Sequence, residues 1–501
     1  MSNTLLAGSP WRAILSFTIP LLIGNAVQQM YQVVDTMVVG RHLGVNSLAA
    51  VGATGSLTFF LIGFAMGMTA GFAIPAAQAF GSGNSEAVRR SVATGAILTG
   101  ITSLIFTVGG PFISEPLLRL LNTPDELIPE ATAFLTITFL GSAGLMFFNF
   151  LSSVIRAIGD SKTPLYFLVL ACVLNVILVL VFVGVIDWGV GGAAAATVIS
   201  QAVSVLLCLV YIRSRLPELR LKREHWKPLR EVYGEHLRLG LPMGFQSSII
   251  AIGSISVQVR LNSLGSDAVA AYTTGSRLDS LAVSFLASLG LATSMFVAQN
   301  LGARQGKRIL QGVKQSVLMG LAGSIIIGAI LIVFGHPLVA LFIGTSEPTV
   351  NDMAVQVLII NGSTYVFLGT LMVLRGALQG LGDAVVPTIS GILELVGRVV
   401  AAILFGALWG YVGVLWSNPL AWLGATIILV PAFLRARKSL AKMRAEGDGS
   451  IGLTMTTPVA VVGPHEGSMV VDSVLTQPVA VVTATIAARA RARKLRKSQK
   501  K

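Results

Sequence analysis

Residues 19–40 read IPLLIGNAVQQMYQVVDTMVVG. The stretch is long enough to cross a bilayer, because about 20 residues at 1.5 Å each span the hydrocarbon. Yet it carries Asn25, Gln28, Gln32 and Asp35, spaced three, four and three apart, which on a helix makes one polar stripe. A carboxylate inside a spanning helix costs roughly 2.5–3.5 kcal/mol on insertion scales, so it is expected to face protein or a water-filled cavity. Pro20 stands near the entry and is expected to let the helix bend there, since it removes a backbone donor and clashes with the preceding turn. A bendable helix with an inward acid fits an ion-coupled transporter. Uptake of a proton by Asp35 would remove its charge and let the helix bend at Pro20; the alternative is a structural acid, hydrogen-bonded to nearby Gln or Tyr side chains.

The remainder of the chain sets this helix in a membrane protein. Of 501 residues, 54% are hydrophobic and 12% charged, against about 25% charged in a typical soluble domain. Apolar segments fall at 15–40, 47–80, 91–114, 130–155, 164–186, 190–212, 236–262, 268–300, 311–335, 352–377, 386–409 and 411–434. The predicted fold is therefore an all-α membrane protein with twelve transmembrane helices. Cys172 and Cys208 lie in apolar runs and read as buried thiols, not as a disulfide or metal framework. The opening MSNTLLAGSPWR is short and polar, unlike a secretory signal.

The net charge of +14 suggests nucleic acid at first sight, but its distribution does not. Residues 435–501 hold 13 Lys/Arg against 4 Asp/Glu. Arg89 and Arg90 follow the second span, Lys162 the fourth, Arg213 to Arg230 the sixth, and Arg304, Lys307 and Arg308 the eighth. Glu115, Asp125 and Glu126 follow the third span, and Glu347 and Asp352 the ninth. By the positive-inside rule both termini are expected in the cytoplasm, in a multi-pass protein of the cell membrane.

The chain also repeats itself. Leu43-Gly44 and Ala49-Ala50 recur as Leu264-Gly265 and Ala270-Ala271, and Gln78 and Gly81 as Gln299 and Gly302. Gly189 and Gly192 recur as Gly410 and Gly413 at the same shift of 221. Pro20 matches Pro242 at 222, and Gly159-Asp160 with Pro164 matches Gly382-Asp383 with Pro387 at 223. Six spans per half give both halves the same orientation, so the repeats are parallel and substrate is expected between them near the midplane, in a central cavity. The resulting division is an N-terminal lobe (1–212), a charged connector (213–235) expected to be solvated, a C-terminal lobe (236–435) and a basic tail (436–501). The tail is rich in Gly, Thr and Val and is expected to be disordered; the lesser alternative is contact of its basic end with anionic lipid, to which each such residue adds about 1 kcal/mol. Internal duplication fits a functional monomer.

The motifs VVDTMVVGRHLGVNSLAAVG, AQAFGSGN and RAIGDSKTP, repeated as AYTTGSRLDSL, FVAQNLGAR and LQGLGDAVVP, resemble a MATE (multidrug and toxic compound extrusion) transporter, closer to the DinF-like branch. The resemblance covers residues 12 to about 435. It implies two six-helix lobes around a cavity and export of cationic or amphipathic drugs in exchange for H⁺ or Na⁺. It also implies an ion-coupling set: Asp35 matches the helix-1 acid, Asn175 the helix-5 Asn and Thr197 the helix-6 Thr. The second acid of that set is absent, because Val179 stands in its place. A dehydrated Na⁺ wants several oxygens, so the departure favours protons or a site placed differently.

Further polar residues lie within the spans. Glu394 and Arg398 are four apart, the spacing of an ion pair on one helix face; Arg277 and Asp279 are two apart and need partners elsewhere. They read as a structural charge network, with a second coupling or drug site as the alternative. Gln28, Gln32, Gln201 and Gln246 are candidates for lining the cavity, alongside Asn149 and Gln258. The Gly-Asp-x-x-x-Pro turns lack a preceding strand and a following Gly-Lys-Ser/Thr, so they read as helix ends held by Asp160 and Asp383 rather than phosphate loops. Without a Ser/His/Asp set, paired catalytic carboxylates or metal-ligand spacing, neither an enzyme nor a resident cofactor is expected. The competing readings are a lipid-linked oligosaccharide flippase, which would want a more cationic cavity, and a channel or non-transporting membrane protein, which fits the duplicated, hinged design less well.

Overall fold

The computed structural model describes residues 5–227, 230–343 and 347–443. Sixteen α-helices and no strand occur among them. The first half holds α1 (Pro10–Leu43), α2 (Val45–Ala53), α3 (Gly55–Gly81), α4 (Ser85–Leu120), α5 (Ile128–Leu140), α6 (Ser142–Ala157), α7 (Lys162–Gly184) and α8 (Gly189–Arg215). The second holds α9 (Arg230–Asn262), α10 (Ser266–Gly302), α11 (Gly306–Val333), α12 (Gly335–Ile343), α13 (Pro348–Gly380), α14 (Val385–Val400), α15 (Gly406–Leu415) and α16 (Ser417–Met443). Eleven helices, α14 and α15 counted as one, are long and apolar enough to span a membrane; α5 and α6, meeting at 45°, make a twelfth. The protein is a multi-pass integral membrane protein. Of the tail, residues 444–501 lie outside the described residues.

Buried hydroxyls do not interrupt these helices, because they bond back to the carbonyl one turn earlier. Thr69 donates to Ala65, Thr293 to Leu289 and Ser200 to Ala196. In hydrocarbon every polar group must find such a partner. Outward faces such as Leu104, Ile105, Val108 and Phe112 of α4 stay exposed, as a lipid-facing surface should.

The internal repeat is written in the backbone as well as in the letters. Left-handed φ values recur at Gly44 and Gly265, Gly159 and Gly382, and Gly189 and Gly410, the pairs separated by the shifts found in the sequence. Even Gly83 (φ 74°) has a counterpart, Arg304 at φ 55°, a conformation that costs a non-glycine residue about 1–2 kcal/mol. Asp160 and Asp383 repeat each other too. Asp160 accepts from the backbone N–H of Lys162 and Thr163, Asp383 from those of Val385 and Val386. The halves differ in where helices break, at Gly141 between α5 and α6 in the first, and in a π-helical turn, Ala401–Phe405, in the second.

The halves meet through α3 against α9 and through α10 against both α1 and α3. On α3, Gly63, Gly67 and Gly71 are four residues apart. A Cβ on Gly67 would lie 2.3 Å from the Met243 carbonyl oxygen, and one on Gly71 2.6 Å from the Gly240 Cα. Only hydrogen fits, so the backbones touch as membrane helices do at small-residue seams. The approach is tightest at the end of the bundle where α1 and α9 begin. There a Cβ on Gly81 would lie 1.9 Å from the Gln299 carbonyl oxygen, and one on Gly302 1.8 Å from that of Gln78.

The connector is docked more closely than a solvated linker would be. Leu216, Leu219 and His225 are buried; Arg89 donates to the Pro217 carbonyl at 3.2 Å. His225 Nδ1 accepts from the Lys222 backbone N–H at 2.7 Å, so the ring proton is left on Nε2, 3.0 Å from Glu86 Oε2. Thus the charged faces are solvated while an apolar edge packs on the start of α4. The segment before α1 is likewise tied down, Arg308 and Asn300 donating to the carbonyls of Leu5, Ala7 and Gly8.

Candidate functional site

A cavity of about 230 Å³ opens among α1, α6, α7 and α8, with Ser288 and Leu291 of α10 and Met66 of α3 completing its wall. It belongs mainly to the first half rather than lying evenly between the two. Drug-sized ligands usually occupy about 300–1,000 Å³, so this space is small. Pro20, Leu21, Gly24, Asn25, Gln28 and Tyr31 of α1 line it, which makes its volume depend on the course of that helix. Asn25 also donates to Ser288 Oγ at 3.1 Å, joining α1 to the second half beside the cavity.

At one side three polar groups meet. Asn175 Nδ2 donates to Thr197 Oγ1 at 3.1 Å, and Thr197 Oγ1 donates to the Ala193 carbonyl at 3.2 Å. The Tyr31 hydroxyl lies 3.0 Å from the same Oγ1. A threonine has one proton to give, so once it goes to Ala193 the tyrosine must donate. The cluster is left with more acceptors than donors. Asn175 Oδ1 is buried without a partner, and so is Oδ1 of Asp35, one turn beyond Tyr31. Val179 packs with Val38, Val39, Val183, Ala193 and Ala196; an apolar cluster fills the place of the missing acid.

The expected polar wall is present in part. Gln28, Gln201, Asn149, Asn175, Thr197 and Pro20 line the cavity; Gln32, Asp35 and Gln246 do not. Gln32 is exposed. Gln246 is held in a buried network, donating to the Pro387 carbonyl at 2.7 Å and accepting from Gln379 at 3.1 Å, so its role is to tie α9 to α13 and α14. Gln258 bonds Asn262, 2.9 Å away.

In the second half the expected pair of Glu394 with Arg398 is not formed. Glu394 pairs instead with Arg375 of α13, both nearly fully buried, because α13 brings a guanidinium to the inner face of α14. Arg398 donates to the Ile250 carbonyl at 3.3 Å. Asp279 is buried, accepting from Tyr365 at 2.6 Å and Asn361 at 3.1 Å, while Arg277 is exposed on the other face of α10. Among the described residues no three His, Cys, Asp or Glu are grouped to hold a metal.

The MatE family profile matches residues 20–181 and 242–404, one segment in each half. This chain belongs to the MatE family. Its curated relatives include the probable multidrug resistance protein YoeA of Bacillus subtilis, 32% identical over 400 residues that cover 78% of this chain and 85% of that protein. They also include an FAD transporter of Shewanella oneidensis, 26% identical over 429 residues, 81% of this chain and 90% of that one. A solved outward-facing multidrug resistance MATE transporter superposes with a TM-score of 0.80 at 24% identity, covering 89% of this chain and 99% of its own. This MatE chain thus has the fold of that family's transporters from α1 to α16.

Three features carry little signal in the sequence. Tyr31 is masked by the carboxamides around it. Arg375 lies on a neighbouring helix, with no fixed spacing to reveal it. The Gly63, Gly67, Gly71 series was legible as a small-residue repeat but hidden by the composition of a chain with 53 glycines.

Proposed function

We propose that this MatE protein is a secondary antiporter that exports amphipathic drug-like molecules in exchange for H⁺ or Na⁺, rocking its two halves between states open to either side. The observation that carries the reading is the acceptor surplus beside the cavity, with Asp35 Oδ1 and Asn175 Oδ1 both buried and unpartnered. Oxygens in that condition bind a proton or a small cation favourably. Because Asp35 sits on the helix whose residues wall the cavity, a change of charge there can be felt as a change of cavity shape. The name of the Bacillus subtilis relative, a probable multidrug resistance protein, supports drug export. The tight end of the bundle, where the charged connector lies, is the cytoplasmic end in this reading, and the functional unit is one chain.

The test is ethidium efflux from cells, wild type against Asp35→Asn, with pH and Na⁺ gradients imposed separately. Efflux driven by one gradient in the wild type and absent in the folded variant is expected. Unimpaired efflux by Asp35→Asn would remove that residue from the mechanism. If neither gradient moves dye in the wild type, drug export is refuted for ethidium and a flippase activity takes precedence.

A further inference from the structure

Arg156, near the C-terminal end of α6, is the one charged residue among the described residues that line the cavity. Its Nη2 donates to Ser153 Oγ at 2.9 Å, while its Nε–H is buried with no acceptor. A guanidinium has five N–H donors and no acceptor, and withdrawing one from water is costly unless a counter-charge meets it. Among the described residues no carboxylate lies within 4.0 Å of it, and the cavity wall holds neither Asp nor Glu. The matching position of the second half is Gln379, so the repeat does not require an arginine here. Of the two buried arginines in the second half, Arg375 has Glu394 and Arg398 donates to the Ile250 carbonyl, and neither lines the cavity.

We infer that Arg156 is an anion-binding residue of the transport cavity, and that the preferred substrates are amphipaths bearing one carboxylate or phosphate rather than simple cations. The inference rests on the drug-export reading and names its substrate class. The missing counter-charge is carried in by the substrate, whose acid group pairs with the Arg156 fork. Its body lies against Leu145, Phe148, Leu165 and Leu168, and the carboxamides of Asn149 and Gln201 flank it. A lone guanidinium suits a single acid group; a pyrophosphate would want several cations.

Two matched pairs of fluorescent probes separate the outcomes. Tetramethylrhodamine and its methyl ester differ only in a free carboxylate, and FMN and riboflavin only in a phosphate. Binding of all four to purified protein is measured by fluorescence anisotropy, for the wild type, Arg156→Gln and Arg156→Lys. The acid member of at least one pair is expected to bind about ten-fold tighter than the partner that lacks the acid group, with the preference lost in Arg156→Gln and largely kept in Arg156→Lys. The pair that shows it identifies carboxylate or phosphate. Ligand-free melting and gel filtration of both variants establish that they fold. Equal binding within both pairs, or a preference that survives Arg156→Gln, overturns the anion site and leaves drug export standing. Binding of none of the four by a wild type that exports ethidium overturns the anion site alone, and with no ethidium export either, both readings fall.

Discussion

Gln78 and Gln299, equivalent residues of the two halves, each donate a side-chain N–H to a backbone carbonyl of the opposite half: Gln78 to Gly380 at 3.0 Å, Gln299 to Ala157 at 2.7 Å. The acceptors are themselves equivalent, separated by the shift that relates Asp160 to Asp383. Next to each glutamine a glycine of the other half presses on its carbonyl oxygen. Two copies of one contact thus lock one end of the bundle, related by the same two-fold that relates the halves.

Substitution at that lock tests its tightness. A Cβ at Gly302 would stand 1.8 Å from the Gln78 carbonyl oxygen, so Gly302→Ala must push the helix ends apart. Overpacking of this kind costs about 1–3 kcal/mol. The melting temperature of the purified protein is expected to fall, and Gly81→Ala to do the same. Gly52→Ala, where nothing lies within 4 Å of the new Cβ, should leave it unchanged or slightly raised. Equal effects at the three positions would show that the lock does not bear on stability.

The buried pair Arg375–Glu394 should show the asymmetry of desolvated charges. Arg375→Met alone or Glu394→Leu alone leaves one charge stranded, a loss of about 3–5 kcal/mol. The double variant Arg375→Met/Glu394→Leu removes both and should recover most of that. Thermal unfolding in detergent and membrane yield measure it. Additive losses would mean that the two side chains do not support each other.

Thr197→Val keeps the shape of the residue and removes the oxygen to which both Asn175 and Tyr31 are turned. Two buried donors lose their acceptor, at about 1–3 kcal/mol each. Thr197→Ser restores the oxygen and should restore most of the stability. If Val and Ser behave alike in a melting assay, the hydroxyl is not the keystone of that cluster.

The docked connector predicts a protease pattern. His225→Ala removes the fully buried ring that joins Glu86 to the Lys222 backbone, so tryptic cleavage within 213–230 should accelerate by about ten-fold, the equivalent of about 1.4 kcal/mol. Cleavage at the wild-type rate would mean that Leu216 and Leu219 hold the segment without it.

Much of the fold was legible because a bilayer leaves the chain few choices. Apolar length, loop charge and the 221–223 shift locate the spans. The left-handed glycines fall in register because a turn that needs positive φ constrains both copies alike. What escaped was tertiary. Glu394 looks four residues along its own helix in the sequence but across to α13 in space, because periodicity describes a helix in isolation. Gln246 reads as a cavity amide until Pro387 and Gln379 are seen to use it. Arg156 stood in a motif whose regularity drew attention to the turn after it, and only the cavity reveals the missing counter-ion.

The duplicated lock has an evolutionary consequence. Both copies keep the parts that close the protein, whereas Arg156 and Asp35 have no charged twin, their matching positions being Gln379 and the Ser256-Val257 stretch. In the proposed antiporter, closure is thus inherited twice and recognition once. Descendants of such a duplication can therefore diversify their cargo by drift within a single half, while the shared machinery of opening stays under constraint from both.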